Sequence, residues 1–276
     1  MKYPRTLHLP FSPGTTSDDR FVPTGYLEAF SKFPSVVITE KLDGENTCMN
    51  KYGTFSRSHT APTVHPWAEP VIKKQKLIQK DLESMNIELF GEGMFGIHSI
   101  EYSKLESYFY LFAIRIDDTW LSWDEVKFHG ELFDFPTVPI VNRIMSIVPP
   151  ESGIVPLDVY TALKLPNESE DDMFKNWLKL NLQCTVDEFT DTPGYLGGFD
   201  PITGESACEG LVIRNSDEFK TNNGFLNTYP NEMDAVVKYV RKKHVKTDVH
   251  WTKTWRKAKL IDYSKFKWDE YQYLSL

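Results

Sequence analysis

Lys41 closes the run Val36-Val37-Ile38-Thr39-Glu40 and is followed by Leu42-Asp43-Gly44-Glu45-Asn46. Four β-prone residues lead into a lysine set between acids, and a glycine then allows a tight turn. A lysine at a strand end is poorly placed for packing and well placed to meet a ligand. Its amine is a nucleophile only when unprotonated, and free lysine has a pKa of about 10.4. Burial and a second cation, Lys238 or Arg241, would both disfavour the ammonium form and bring that value down. The same cations could neutralise charge that builds on a phosphate under attack. A lone Lys-x-Asp-Gly also reads as an exposed strand lysine, so its weight comes from the segments downstream of it.

Four such segments occur in order: Phe90-Gly91-Glu92, Tyr108-Phe109-Tyr110-Leu111-Phe112-Ala113-Ile114, Glu209-Gly210-Leu211-Val212-Ile213-Arg214 and Val236-Val237-Lys238-Tyr239-Val240-Arg241. Singly, each has a plain structural reading. Phe112 suits a core, Glu92 a turn, Glu209 a pairing with a surface lysine, and Arg57 an exposed strand. As an ordered set from about Thr39 to Arg241, they resemble the covalent nucleotidyltransferase superfamily of polynucleotide ligases and RNA capping enzymes. Within it the chain is similar to ATP-dependent RNA ligases of the phage type.

That resemblance implies an α+β, ATP-grasp-like nucleotidyltransferase domain with antiparallel sheets around a nucleotide cleft. It implies ATP as AMP donor, magnesium or manganese as cofactor, and RNA with 5′-phosphate and 3′-hydroxyl ends as partner. By match to the family, Lys41 becomes covalently AMP-bound, Glu40 reads the adenine amino group, and Asn46 and Arg57 touch phosphates and support sealing. Glu92 matches the ribose-binding acid, Phe112 the aromatic that stacks on adenine, Glu209 the acid beside the metal, and Lys238 the first base of the last motif. Many relatives carry Lys-x-Lys there, whereas Val240 holds the second place here and Arg241 comes next. Only 35 residues lie beyond Arg241, too few for the OB-fold that DNA ligases and capping enzymes append. An RNA-capping guanylyltransferase and a non-catalytic protein that binds nucleotides or RNA ends are the alternatives.

Which elements must position these residues? Residues 1–35 are rich in Pro, Ser, Thr and Gly and predict an ordered loop, with a short helix near Tyr26 to Phe33. The strand into Lys41 is expected to pair with Thr47 to Asn50, which a turn at Lys51-Tyr52-Gly53 joins to Thr54 to Ser58. A helix is expected from Pro66–Pro70 to about Met85, with Val71, Leu77, Ile78 and Leu82 inward and lysines outward. Strands are expected at Ile87 to Glu92, Tyr108 to Ile116 and Thr119 to Leu121. Ser122-x-x-Glu125 is a capping box for a helix to about Leu132. Residues 136–198 read as an insertion with helices at Leu157 to Leu165 and Asp171 to Asn181 and an acidic patch at Glu168 to Asp172. Strands return at Glu209 to Arg214 and Asp234 to Val240. The domain reading is therefore a loop segment over 1–35, a nucleotidyltransferase domain over 36–243, and a basic aromatic extension over 244–276.

The 276-residue chain is 41% hydrophobic and 25% charged, as in an ordinary globular protein able to bury a full core. No apolar run reaches membrane-helix length and the N-terminus lacks a secretory pattern, so a cytoplasmic location with no membrane partner is expected. Cys48, Cys184 and Cys208 lie far apart without a Cys-x-x-Cys pair, and the seven histidines are scattered, which disfavours a zinc or histidine metal site. The net charge is −8, yet Val236 to Asp269 holds 11 Lys or Arg against 3 Asp, a local +8 that leaves −16 elsewhere. From His244 to Asp269 those cations interleave with Trp251, Trp255, Tyr263, Phe266 and Trp268. Such mixing suits a phosphate backbone with stackable bases, or aromatics docked on the domain with lysines in water.

Overall fold

The computed structural model describes residues 3–57, 60–145, 168–221, 232–242, 251–253 and 255–265. Val36, Val37 and Ile38 are β-branched and fully buried on both faces, so their strand β2 (Ser35–Lys41) is central in its sheet. Its neighbours are β11 (Gly210–Asn215) and β9 (Ile140–Met145), both antiparallel to it. Beyond β11 lie β13 (Glu232–Val240) and β1 (Arg5–His8), giving the order β1-β13-β11-β2-β9. The β1–β13 pair is parallel and the other pairs of this sheet are antiparallel.

A second, six-stranded sheet comprises β3 (Glu45–Asn50), β4 (Gly53–Ser56), β5 (Ile87–Gly93), β7 (Phe109–Ile116), β8 (Thr119–Trp120) and β12 (Phe219–Lys220). Its strands lie in the order β12-β8-β7-β5-β3-β4 and pair antiparallel throughout. A two-stranded piece, β6 (Glu101–Tyr102) with β10 (Gly198–Phe199), completes a mixed α+β fold dominated by antiparallel pairing.

The expected pairing of β2 with β3 does not occur. The chain leaves the first sheet after Lys41 and enters the second at Glu45, and the crossing is fixed by Asp43. Its carboxylate accepts from Ser99 N–H (2.8 Å), Ser99 Oγ (2.7 Å) and Ile100 N–H (2.8 Å), while its own N–H donates to Tyr102 Oη (2.9 Å). Gly44 is needed for space more than for a tight turn. A Cβ there would lie 2.6 Å from the Gly93 carbonyl oxygen and 2.7 Å from Met94 Sδ.

Helix α1 (Tyr26–Ser31) forms as expected, but the preceding residues are not all loop, because Arg5–His8 is a sheet strand. The local signal was Pro and Gly; the pairing with β13 comes from more than two hundred residues away and leaves no trace in composition. In α2 (Glu69–Met85), Val71, Gln75, Ile78 and Leu82 face inward, at spacings of four, three and four. Leu77 is 37% exposed, and Lys74, expected outside, is buried with its amine 5.2 Å from the centre of the Phe135 ring. The α2 backbone turns Lys74 to the inward stripe, and its long stem is accommodated there. The capping box of α3 (Trp123–Phe133) is present in full.

Residues 136–198 hold more than an insertion, because β9 is an edge strand of the first sheet. Helix α4 (Glu170–Leu182) buries Phe174, Trp177 and Leu178. The acidic patch at its start meets the N-terminal segment: Glu170 accepts from Gly25 N–H (2.9 Å) and Leu27 N–H (2.7 Å), and Asp171 from Tyr26 Oη (2.9 Å). These bonds satisfy donors at the start of α1. The short α5 (Val186–Thr190) comes next. The helix expected at 157–165 lies outside the described residues. No helix among the described residues is long and apolar enough to cross a membrane.

The segment 251–265 docks on the second sheet's flank. Ile97 N–H donates to Arg256 O (2.9 Å), Ala258 N–H to Phe95 O (2.8 Å) and Ile261 N–H to Leu105 O (2.8 Å). Trp251 stacks on His98 at 3.7 Å, and Trp255 lies 5.9 Å from Phe95. Lys253, Arg256, Lys257 and Lys259 stay exposed, so docked aromatics and solvent-facing cations coexist. The tail residues at 244–250, 254 and 266–276 lie outside the described residues.

Removing the Asp43 carboxylate leaves three donors without their acceptor. Asp43→Ala should therefore lower the unfolding free energy by about 3 kcal/mol, measured by urea denaturation, whereas a loss within error would contradict the anchoring role.

Candidate active site

Cross-strand register brings the chemistry together. Lys41 faces Gly210 across β2 and β11, and Gly210 faces Val240 across β11 and β13; two residues back, Thr39, Val212 and Lys238 form a parallel row. Side chains two apart share a face, so Lys41 and Lys238 point the same way from strands separated by β11. Gly210 is required because a Cβ there would sit 1.9 Å from the Tyr239 carbonyl oxygen. Glu209, one residue earlier, is tied to the end of β13 by Arg241 N–H, which donates to its carbonyl (2.9 Å).

Lys41 Nζ donates to Glu209 Oε1 at 2.5 Å, with the two side chains 24% and 6% exposed. Burial alone would lower the Lys41 pKa. Glu209, Glu92 and Asp43 outweigh it and hold the amine above the ordinary lysine value. This corrects the expectation of a depressed lysine: three acids surround the amine, and the second cation does not prevail over them. Lys238 carries the depression instead, pushed down to about 8 by burial and then by the charge of Lys41.

Two cavities meet at these lysines. One, of about 260 Å³, lies between the sheets and is lined on one side by Thr39, Lys41, Val212 and Lys238 and on the other by Asn46, Arg57, Glu92 and Phe112. A second, of about 340 Å³, shares Lys41 and Lys238 and adds Glu209, His8 and residues 13–16 and 19. Glu92 lies opposite Asn46 in the β3–β5 ladder and accepts from Gly44 N–H (3.1 Å). Burial first, against the opposing pull of Lys41, pushes its carboxyl up to about 8. Asn46 Oδ1 is buried with no hydrogen-bond partner among the described residues. Arg57, exposed at the cavity, is held by its N–H to Asn46 O (3.0 Å).

Glu40 and Arg241 are placed differently from the rest. By strand alternation the Glu40 side chain leaves the face that carries Lys41, and its carboxylate accepts from Tyr195 N–H (2.8 Å), with burial raising its pKa to about 7. Glu40 nevertheless counts among the residues that line the first cavity. Arg241 lines neither cavity, although its backbone orders Glu209.

Sequence reasoning passed over Arg214 and Tyr3, which also line the first cavity. Arg214 donates to the carbonyls of Phe112 (3.1 Å), Leu121 (3.0 Å) and Asn215 (3.0 Å), and so ties β11 to the second sheet beside Phe112. Tyr3 packs edge-on to Phe112 at 5.1 Å. Alternation along β11, in which Val212 and Arg214 share the face of Gly210, was the available signal for Arg214. Nothing local could have signalled Tyr3.

Magnesium binds through one or two carboxylates plus phosphate oxygens. Among the described residues no group of three His, Cys, Asp or Glu side chains could hold a metal unaided. Glu209, a hard oxygen donor beside two cations, fits a metal held jointly with a phosphate.

A family model described as RNA ligase matches residues 34–240. Comparison with curated proteins finds no match. Among solved structures, a variant of the Naegleria gruberi RNA ligase with ATP and Mn is similar at 15% identity and a TM-score of 0.43, covering 87% of this chain and 59% of that one. The same organism's RNA ligase with PPi gives 14%, 0.40, 87% and 59%. An archaeal ATP-dependent RNA ligase gives 12%, 0.43, 87% and 48%. This chain thus spans about half to three fifths of the length of those proteins, and likenesses this low carry no functional weight.

The raised Glu92 carboxyl has a pH consequence. The folded state binds its proton more tightly than the unfolded chain, so this group's stabilising contribution is present below the unfolded value and is lost as pH rises from about 4.5 to about 8. Glu92→Gln should remove that decline. Urea midpoints should diverge in favour of the variant between about pH 5 and about pH 8, and parallel profiles would refute the assignment.

Proposed function

This chain belongs to the RNA ligase family, and from that premise we propose that it seals RNA ends with ATP as AMP donor. The observation that carries the reading is one lysine, Lys41, shared by two cavities and paired at 2.5 Å with an acid. Adenosine occupies the first cavity, with Phe112 stacking on the base and Glu92 at the ribose. Val138 and Val212 supply apolar walls. The phosphate chain reaches toward Lys41 and Lys238, with Asn46 and Arg57 at its side.

In the first step the neutral Lys41 amine attacks the α-phosphorus. A P–N bond forms, the bond to the bridging oxygen breaks, pyrophosphate leaves, and the amine loses its proton. The AMP then passes to the 5′-phosphate of an RNA end, and a 3′-hydroxyl displaces AMP to form the phosphodiester. Lys238 offsets charge that develops on the transferring phosphate. Bound magnesium, for which manganese can substitute, would offset phosphate charge near Glu209.

Residues 36–243 are the nucleotidyltransferase unit in this reading, with β9 part of its sheet and the helices that follow within 136–198 as its insertion. The N-terminal segment closes the cleft's polar end, and the basic segment after residue 243 offers cations to the RNA backbone. No OB-fold is called on. A cytoplasmic setting is consistent with this chemistry.

Incubation with ATP and magnesium should increase the intact mass by one AMP, and Lys41→Ala should abolish the gain. Adduct from GTP alone would move the assignment to a capping guanylyltransferase. Tight nucleotide binding without an adduct, indifferent to Lys41→Ala, would leave only a binding protein.

A further inference from the structure

Residues 8–19 form one wall of the second cavity, and their contacts converge on β13. Leu9 N–H donates to Lys238 O and Gly14 N–H to Val240 O, both at 2.9 Å. Ser12 Oγ accepts from Val240 N–H at 2.9 Å and lies 3.0 Å from His8 Nδ1. On the other side of that ring, His8 Nε2 lies 3.2 Å from Asp19 Oδ1. Asp19 Oδ2 accepts from Thr16 N–H (2.9 Å) and Thr16 Oγ1 (3.0 Å), which fixes the carboxylate independently of any ligand. From this seat Asp19 Oδ1 stands 3.9 Å from Lys238 Nζ, with side chains only 25% and 17% exposed.

We propose that Asp19, steadied by His8 and Thr16, is a positioning residue for Lys238: it holds that amine, oriented and charged, at the wall shared by the two cavities. The role in catalysis rests on the ligase reading above, but the holding contact does not. Lys238 is met by Lys41 from β2 and Arg57 from the end of β4, which oppose its charge, and by Glu209 ahead of β11 and Asp19 from the N-terminal segment, which support it. Burial and the nearby Lys238 push His8 down to about 4, so its ring is neutral at ordinary pH and can sit beside a cation without adding charge. One ring nitrogen thus stands beside Asp19 and the other beside Ser12, so His8 spans the loop between them. The N-terminal strand and loop thereby become part of the machinery of a site whose sequence motifs all lie after residue 35.

The test reads Lys238 directly. Acetylation by acetic anhydride is followed at Lys238 by peptide mass spectrometry across pH, in the full chain and in Asp19→Asn and Asp19→Glu. Asparagine keeps an oxygen for Thr16, so the loop is retained while the charge is removed; unchanged thermal midpoints verify this. Lys238 should titrate about one pH unit lower in Asp19→Asn, equivalent to a roughly fivefold gain in neutral amine near pH 7, and Asp19→Glu should restore most of the shift. The alkaline limb of lysyl-AMP formation should move down with it. An unshifted Lys238 titration in Asp19→Asn would overturn the proposal. A shifted titration in a chain that forms no adduct would uphold the contact and defeat the ligase reading instead.

Discussion

The Lys41–Glu209 pair, 2.5 Å between nitrogen and oxygen, is the interaction on which the arrangement turns. A cation at the end of a buried strand is costly unless an acid meets it there, and the register of β2 against β11 puts one at that level. Glu209 is held in turn by the end of β13 through Arg241 N–H, and β13 can approach only because residue 210 is glycine. The resting amine is therefore stabilised in its charged form. The acid that keeps the lysine in place therefore also keeps it charged, and the attack proposed for it requires that hold to relax.

The depressed group is Lys238, and this divides the labour between two lysines. Lys41, among acids, rests as an ammonium; Lys238, buried and facing another cation, is depressed to about 8. Asp19 on the N-terminal segment supports the charge that burial and Lys41 oppose. The two cavities meet where these amines point, one with an aromatic and apolar lining, the other dominated by charged and hydroxyl side chains. Arg214 and Asp43 fasten the two sheets that form the walls, the first through backbone carbonyls beside Phe112 and the second through the 99–100 turn.

Strand placement was legible where continuous β-branched or aromatic runs occur, as in β2, β7 and β11, and the capping box of α3 was readable letter by letter. Lys41, Glu92 and Lys238 could be picked out because each lies in or ends such a run. The partners were not legible: β2 passes over its sequence neighbour β3 for strands some 100 and 170 residues away, because Asp43 diverts the chain into the other sheet. Lys74 was misread because a lysine stem can occupy an inward helical position while composition counts only its charge. The strand Arg5–His8, Tyr3 and Asp19 stayed hidden in a Pro- and Ser-rich stretch whose order comes entirely from tertiary contacts. The direction of the Lys41 shift was missed for a related reason. Glu92 and Glu209 were recognised singly, but their joint approach to one amine is a property of register.

The most direct measurement of the central claim is the titration of the Lys41 amine by NMR, in the wild-type chain and in Glu209→Gln. If Glu209 is the charge that holds this lysine protonated, removing it should lower the Lys41 pKa. An unchanged or higher value in Glu209→Gln would contradict the account.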